Sequence, residues 1–252
     1  MDTISLPLAS RPRAATYRVR LAHDDADRRA AQALRFAVFN LELHEGLAQS
    51  WATGLDADAF DAVCDHLLVE DGASGQVVGT YRLQTGTHAA RHHGYYSERE
   101  FEFAPYEPQR GRIVELGRAC VHAQHRNFAV LNLLWGGIAD YARTRGARWL
   151  LGCSSLTSQD PAAGAAAWQQ LQRHQAEPAL RTLPTPAFAC PLDTLGPAPK
   201  IPRLLAAYLA LGATLAGPPA LDREFGTIDF LTLLDLDGLR HRWLTRAPLG
   251  LG

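Results

Sequence analysis

Lysine is all but missing from this chain. Lys200 is the single one in 252 residues, so arginine carries almost all the positive charge. Formal net charge is −1, which argues against a nucleic-acid partner held by overall charge. Cysteine is sparse, and Cys64, Cys120, Cys153 and Cys190 form no Cys-x-x-Cys pair, so neither a zinc ribbon nor a disulfide framework is expected. Free thiols in a reducing compartment fit better, and the expected location is cytoplasmic. The first sixteen residues lack an apolar core, so they read as a disordered tail and not a signal peptide. Ile201–Gly217, the nearest approach to a membrane span, is too short and is broken by Pro202, Arg203 and Gly212. What remains is an ordinary globular balance, 47% hydrophobic and 20% charged, enough for one large domain.

Periodicity divides that domain, expected over residues 17–246, between a tail at 1–16 and another at 247–252. Tyr17–Ala22 alternates like a strand. Asp24 and Asp25 offer an N-cap to a helix reaching about Leu43, with apolar spacing at Leu34, Val38 and Leu41. Residues 44–60 have no clean period and read as a long loop of the kind that often carries function. Strands are predicted at Asp65–Glu70 and Gln76–Thr85 around the turn 71–75, and again at Ile113–Ala123, Trp149–Ser154 and Thr227–Leu236. Helices are predicted from about Asn127 to Thr144, from Pro161 to about His174, over Leu204–Leu211 and over Leu239–Arg246. Residues 177–202 are proline-rich and read as an extended surface connection. The fold class is α/β or α+β, with a mixed sheet.

Two charges sit inside the run Arg112–His122, where a strand should be apolar: Glu115 and Arg118. Positions three apart on a regular strand face opposite sides, so one is expected in a pocket and the other bracing a loop. Arg82, inside Gly79-Thr-Tyr-Arg-Leu83, is a second anomaly of that kind. The acidic stretch Asp56-Ala-Asp-Ala-Phe-Asp61 precedes both. No metal is expected there, because a calcium loop needs further ligands and a glycine.

These motifs resemble the acyltransferases related to Gcn5. Within that superfamily Arg35-Phe-Ala-Val-Phe39, the acidic loop, Gly79–Leu83 and Glu115-Leu-Gly-Arg118 resemble two branches: the autoinducer synthases and the ornithine-acyl-carrier-protein N-acyltransferases of ornithine-lipid synthesis. Asp65-His-Leu-Leu-Val69, Tyr96-Ser-Glu-Arg-Glu-Phe101, Leu134-Trp-Gly-Gly-Ile138, Ala207–Ala213 and Asp222–Asp229 favour the second. Gln124–Ala129 stands where acetyltransferases place a glycine-bearing pyrophosphate loop, and it has no glycine. Autoinducer synthases usually carry a tryptophan soon after the first helix; Leu41–Leu47 has none.

The resemblance implies a single domain with a mixed, mostly antiparallel sheet flanked by helices. It implies transfer of a 3-hydroxyacyl chain from acyl carrier protein to the α-amine of ornithine. No cofactor is expected beyond that pantetheine thioester. The rivals are a lactone synthase, an N-acyltransferase for another amino acid, and a fold relative that binds acyl carriers or lipids without turnover. For this chemistry Glu115 is the expected base and Arg118 its catalytic neighbour, with backbone amides after Gly117 at the oxyanion. Arg82 or Arg118 would hold the amino-acid carboxylate. Arg35 would brace the acidic loop by pairing with Asp56, Asp58 or Asp61. Those three aspartates, or Asp222 and Asp229, would meet ornithine's side-chain ammonium. Arg126, Arg143, Arg145 and Arg148 form the expected carrier-protein patch. Leu204–Leu211 is either core or a wall of an acyl tunnel. The C-terminal Leu239–Arg246, with its tryptophan and cations, is a candidate for peripheral membrane contact.

Overall fold

The computed structural model describes residues 16–239. Strand β1 (Tyr17–Leu21) leads into α1 (Asp25–Phe36), whose N-cap is Asp24, accepting the Asp27 N–H at 2.9 Å. The helical path continues past α1 as a π-helical turn, Ala37–Glu42, closed by the Leu43 N–H on the Val38 carbonyl. Widened turns of this kind favour functional sites, and Val38, Phe39 and Leu43 line the main cavity. A short helix α2 (Ser50–Thr53) interrupts the long loop.

Strands β2 (Asp65–Asp71) and β3 (Val77–Thr85) form the early hairpin, followed by the one-turn helix α3 (Gly86–Ala89) and β4 (Ile113–Val121). Then come α4 (Phe128–Thr144), β5 (Trp149–Leu156), α5 (Pro161–Leu171) and α6 (Arg203–Ala210). Two short strands, β6 (Thr214–Leu215) and β7 (Ala220–Asp222), precede β8 (Thr227–Asp235). The sheet order is β1-β2-β3-β4-β5-β8-β6, with β7 on β8. Every pairing is antiparallel except β4 with β5. This is the expected mixed, mostly antiparallel sheet. Strands β6 and β7 escape a sequence reading because two or three residues show no period.

β3 is buried on both faces, and the two faces do different work. Toward α4 it presents Tyr81, Leu83 and the bare backbone of Gly79, where a Cβ would press on Val130 and Leu134. Leu67, Val69, Val130, Leu134 and Ile138 complete this core. Each contributes roughly 1.5–3 kcal/mol by leaving water. The opposite face of β3 carries Thr80, Arg82 and Gln84, all buried and all polar. Helix α1 covers that side.

The parallel seam between β4 and β5 is short. Ile113, Val114 and Glu115 pair with Trp149, Leu150 and Leu151, and the register stops there. Just beyond, the strands still touch: a Cβ on Gly152 would lie 2.2 Å from the Leu116 carbonyl oxygen. Past that contact they part.

The proline-rich connection over 177–202 is tied down along its course. Thr185 N–H donates to the Glu100 carbonyl, Glu102 N–H to the Leu183 carbonyl, and Cys190 N–H to the Pro219 carbonyl. Among the described residues no helix is long and apolar enough to cross a membrane. The helix expected over Leu239–Arg246 and the tails expected at 1–16 and 247–252 lie outside the described residues, save for Leu239 and for Thr16, whose carbonyl accepts the Gly72 N–H.

Candidate active site

One cavity of about 690 Å³ opens where β4 and β5 part. Leu43, Leu131, Leu134, Leu204, Leu205 and Ala207 make one stretch of its wall apolar. The α6 segment therefore is a wall of this tunnel and part of the core at once. Arg82, Gln84, Tyr96, Glu115, Arg118, Asp222 and Asp229 make the other stretch polar.

Glu115 and Arg118 both face this cavity, contrary to the alternation of a regular strand. The cause is a bulge. β3 advances two residues from Thr80 to Arg82 while β4 advances three from Gly117 to Cys120. Arg118 absorbs the extra residue in a left-handed conformation, φ 50°, which costs a non-glycine residue about 1–3 kcal/mol.

Arg118 meets Asp58 at 3.0 Å and Asp56 at 3.4 Å. Its guanidinium also lies over the rings of Phe225 and Tyr96, 4.4 and 5.0 Å from their centres. Arg82 holds Asp58 at 2.6 Å and Asp61 at 3.0 Å. Arg35, fully buried, holds Asp56 at 2.8 Å and Asp61 at 2.5 Å. Three guanidiniums therefore meet three aspartates, and the formal charges cancel. Burial pushes the Asp61 and Asp58 carboxyls up, but the arginines outweigh it and hold both below the usual aspartate range. Arg35 thus pairs with Asp56 and Asp61 of the acidic loop, while Asp58 is held by Arg82 and Arg118. As seats for a substrate ammonium, Asp56, Asp58 and Asp61 are poorly suited, because each already has its cations.

Glu115 departs from the expected base. Its Oε1 accepts the Ser97 N–H at 2.8 Å and the Ser97 hydroxyl at 2.7 Å. Its Oε2 accepts the Tyr96 N–H at 2.9 Å and Gln84 Nε2 at 2.6 Å. Four donors fill a carboxylate's acceptor sites, so a proton can be taken only by breaking one. No arginine pairs with it among the described residues. The carboxylate pins loop 96–97 to the central strand. Tyr96 in turn lies among Arg82, Arg99 and Arg118, within 5.4 Å of each guanidinium.

Glu45 was not legible from sequence. It lines the cavity and accepts the Thr157 hydroxyl at 2.7 Å. Burial pushes its carboxyl above the ordinary glutamate range, making it a weaker acid. Glu100, inside the motif Ser97-Glu-Arg-Glu-Phe101, was also missed, and it packs beside Cys153 and Asp229. Asp222 and Asp229 both line the cavity. Asp222 has a structural task too, its Oδ1 accepting the Glu224 and Phe225 N–H groups at 2.8 and 2.9 Å.

The expected four-arginine carrier patch does not assemble. Arg126 precedes α4 and lines the cavity, whereas Arg143 and Arg145 sit at the far end of that 17-residue helix, about 25 Å away at 1.5 Å per residue. Each is also neutralised: Arg126 by Glu42, Arg143 by Asp140, Arg145 by Asp65 and Arg148 by Asp235. Closeness in sequence across a helix is not closeness in space. Nor does the start of α4 offer amides to a pyrophosphate. Asn127 Oδ1 already accepts the Ala129 and Val130 N–H groups at 3.0 and 3.1 Å.

Residues 34–136 match the family described as acetyltransferase (GNAT) domain. The L-ornithine N(alpha)-acyltransferase of Rhodobacter capsulatus is 33% identical over 94% of this chain and 98% of its own length. Among solved structures, FeeM, an N-acyl amino acid synthase from uncultured soil microbes, superposes with a TM-score of 0.56 at 12% identity, over 90% of this chain and 93% of that one. The AHL synthase LasI does so with a TM-score of 0.53 at 14% identity, over 92% and 95%. The two superpositions share the fold, and on the full-length identity the chain belongs to the L-ornithine N(alpha)-acyltransferase family.

Proposed function

We propose that this acyltransferase moves a long acyl chain from a carrier-protein thioester to the α-amine of L-ornithine. The observation that carries the reading is a cavity whose apolar and charged walls meet where β4 and β5 part. An acyl chain fits the first wall and a zwitterionic amino acid the second. The acceptor nitrogen attacks the thioester carbonyl carbon, a C–N bond forms, and the C–S bond breaks. Of the two protons the α-ammonium gives up, one leaves with the thiol and one goes to a base. Glu45 suits the base role better than Glu115, having a carboxyl that burial makes a weaker acid and a single protein donor. Amides exposed by the bulge at Arg118 would receive the oxyanion. Arg82 and Arg118 would turn remaining donors toward the acceptor carboxylate.

A carrier protein is favoured over CoA as donor, because the α4 amides are capped by Asn127. The test is to incubate the purified chain with acyl carrier protein loaded with a 3-hydroxyacyl chain and with L-ornithine, and to read products by mass spectrometry. An Nα-acylornithine is the expected product. Its absence, with acylation of another amine, overturns the acceptor.

A further inference from the structure

Two neighbouring carboxylates, Glu100 and Asp229, are buried with no salt bridge to either among the described residues. Glu100 is 1% exposed and Asp229 is 4% exposed. Their oxygens and the Cys153 sulfur all lie within 4.8 Å of one another. Glu100 Oε1 and Asp229 Oδ1 accept no hydrogen bond from any described residue. Glu100 Oε2 receives the weak Cys153 thiol contact at 3.7 Å, and the Asp229 carboxyl is its other partner. The contrast with the neighbouring aspartates is sharp, since Asp56, Asp58 and Asp61 each touch at least one arginine. A buried carboxylate without a salt bridge carries a large desolvation penalty, and two side by side add repulsion.

The fold holds the pair there deliberately. Asp229 stands opposite Ser155 in the β5–β8 ladder, so it shares a sheet face with Cys153 two residues away. Glu100 reaches them from the loop pinned by Glu115. Its N–H donates to the Ser97 carbonyl, and its own carbonyl accepts the Thr185 N–H from the proline-rich connection. Asp229 and Cys153 form part of the cavity wall that also carries Arg82 and Arg118.

We propose that Glu100 and Asp229, with Cys153 beside them, seat the second ammonium of a diamino-acid acceptor. The proposal rests on the N-acylation of such an acceptor argued above, and it deepens it by placing the specificity. A primary ammonium has three donors and no fixed fork, which suits two carboxylates and a sulfur clustered this closely. The wider guanidinium of an arginine substrate suits it less.

Protonation supports the same reading. Burial first, then the charges of Asp229 and Asp222, raises Glu100 well above the glutamate range, and burial lifts Asp229 to about 6. The other titratable groups facing the pair are Glu45, Tyr96 and Asp222, and Glu115 faces Cys153. A proton held by the empty pair near neutrality would leave when an ammonium takes its place. Affinity for the acceptor should then rise with pH through the range around 6.

The experiment compares L-ornithine with L-norvaline, which lacks only the second amine, on the full chain and its E100Q and D229N variants. Wild type should favour ornithine by at least tenfold in kcat/KM, and each variant should bring that ratio below threefold. Each change replaces one of two crowded carboxyls with a neutral amide and relieves their repulsion, so melting temperature should hold or rise. An unchanged ratio in both variants overturns the proposal, and so does loss of both substrates in equal proportion. Calorimetry separates the two claims. If wild type acylates neither amino acid, the reaction assignment fails, while ornithine binding that weakens at least tenfold in D229N still supports the pocket. Stoichiometric Zn²⁺ binding that is lost in D229N and required for turnover would make the cluster a metal site and overturn the ammonium reading.

Discussion

At the scale of single residues, the carboxylates of this site divide by what surrounds them. Glu115 is saturated with neutral donors, so its expected role is positional. In E115Q one oxygen becomes an N–H₂ facing an N–H, leaving buried donors unmatched at a cost of about 1–3 kcal/mol. Turnover should fall at least tenfold while the shape of the pH–rate profile stays as in wild type. Glu45 should behave in the opposite way. Burial pushes its carboxyl above the ordinary glutamate range, so activity climbs with pH as it ionises, and E45Q should remove that acidic limb. Profiles of kcat/KM for both variants decide the matter; a limb lost in E115Q and kept in E45Q would return the base to Glu115. Asp58 and Asp61 form a third class, held below the usual range because their arginines outweigh burial. The stability they contribute is present above the unfolded aspartate value of about 3.9 and is lost as pH falls below it. R35M, which strips the buried cation from Asp56 and Asp61, should cost about 3–5 kcal/mol, read from urea midpoints at pH 7.

At the scale of elements, the question is where β4 stops being an ordinary strand. The sheet, its hairpin and the long helices follow from periods of 2 and 3.6 that run over many residues, and these were legible. The charged anomalies Glu115, Arg118 and Arg82 were legible too, since charge inside an apolar strand stands out. Their geometry was not. The bulge that turns Arg118 into the same cavity as Glu115 depends on pairing with β3, which one strand's sequence does not show. The arginines after α4 failed as a patch because a helix separates its ends. Glu100 and Glu45 were hidden for another reason: a glutamate in a loop reads as solvated until the chain around it is folded. Gly152 tests the element view. A methyl there would collide with the Leu116 carbonyl at the end of the β4–β5 contact. G152A should therefore push the strands apart at the cavity and lower kcat/KM for the acyl donor at least tenfold. Melting temperature should drop by only a few degrees, because the pairs from Ile113 to Glu115 remain. A variant with wild-type donor kinetics would show that the seam has slack to spare.

At the scale of the whole molecule, the donor must approach the cavity from outside, and the surface it meets is specific. Phe128, 79% exposed, stands at the start of α4, and Leu204, 37% exposed, stands on α6; both line the cavity. Arg126 and Arg203 line it as well. An apolar ring with two cations is a modest docking surface, and Arg126 is already half-satisfied by Glu42. The steep salt dependence that a four-arginine patch would cause is therefore not expected; a shallow one is, since exposed pairs are screened and weak. Selectivity for a carrier over CoA should rest instead on what the α4 start withholds. A free pyrophosphate needs amides, and Asn127 has taken the Ala129 and Val130 N–H groups. Acyl-CoA should thus be at least tenfold poorer in kcat/KM than the same acyl chain on carrier protein. N127G, which releases those two amides, should narrow that gap from the CoA side. F128A should raise KM for the carrier-borne donor several-fold and leave KM for the amino acid within twofold, because its ring stands at the mouth and not at the charged wall. Equal use of both donors by wild type, with no response to N127G, would show that the thioester alone is recognised and that the carrier contributes nothing to the choice.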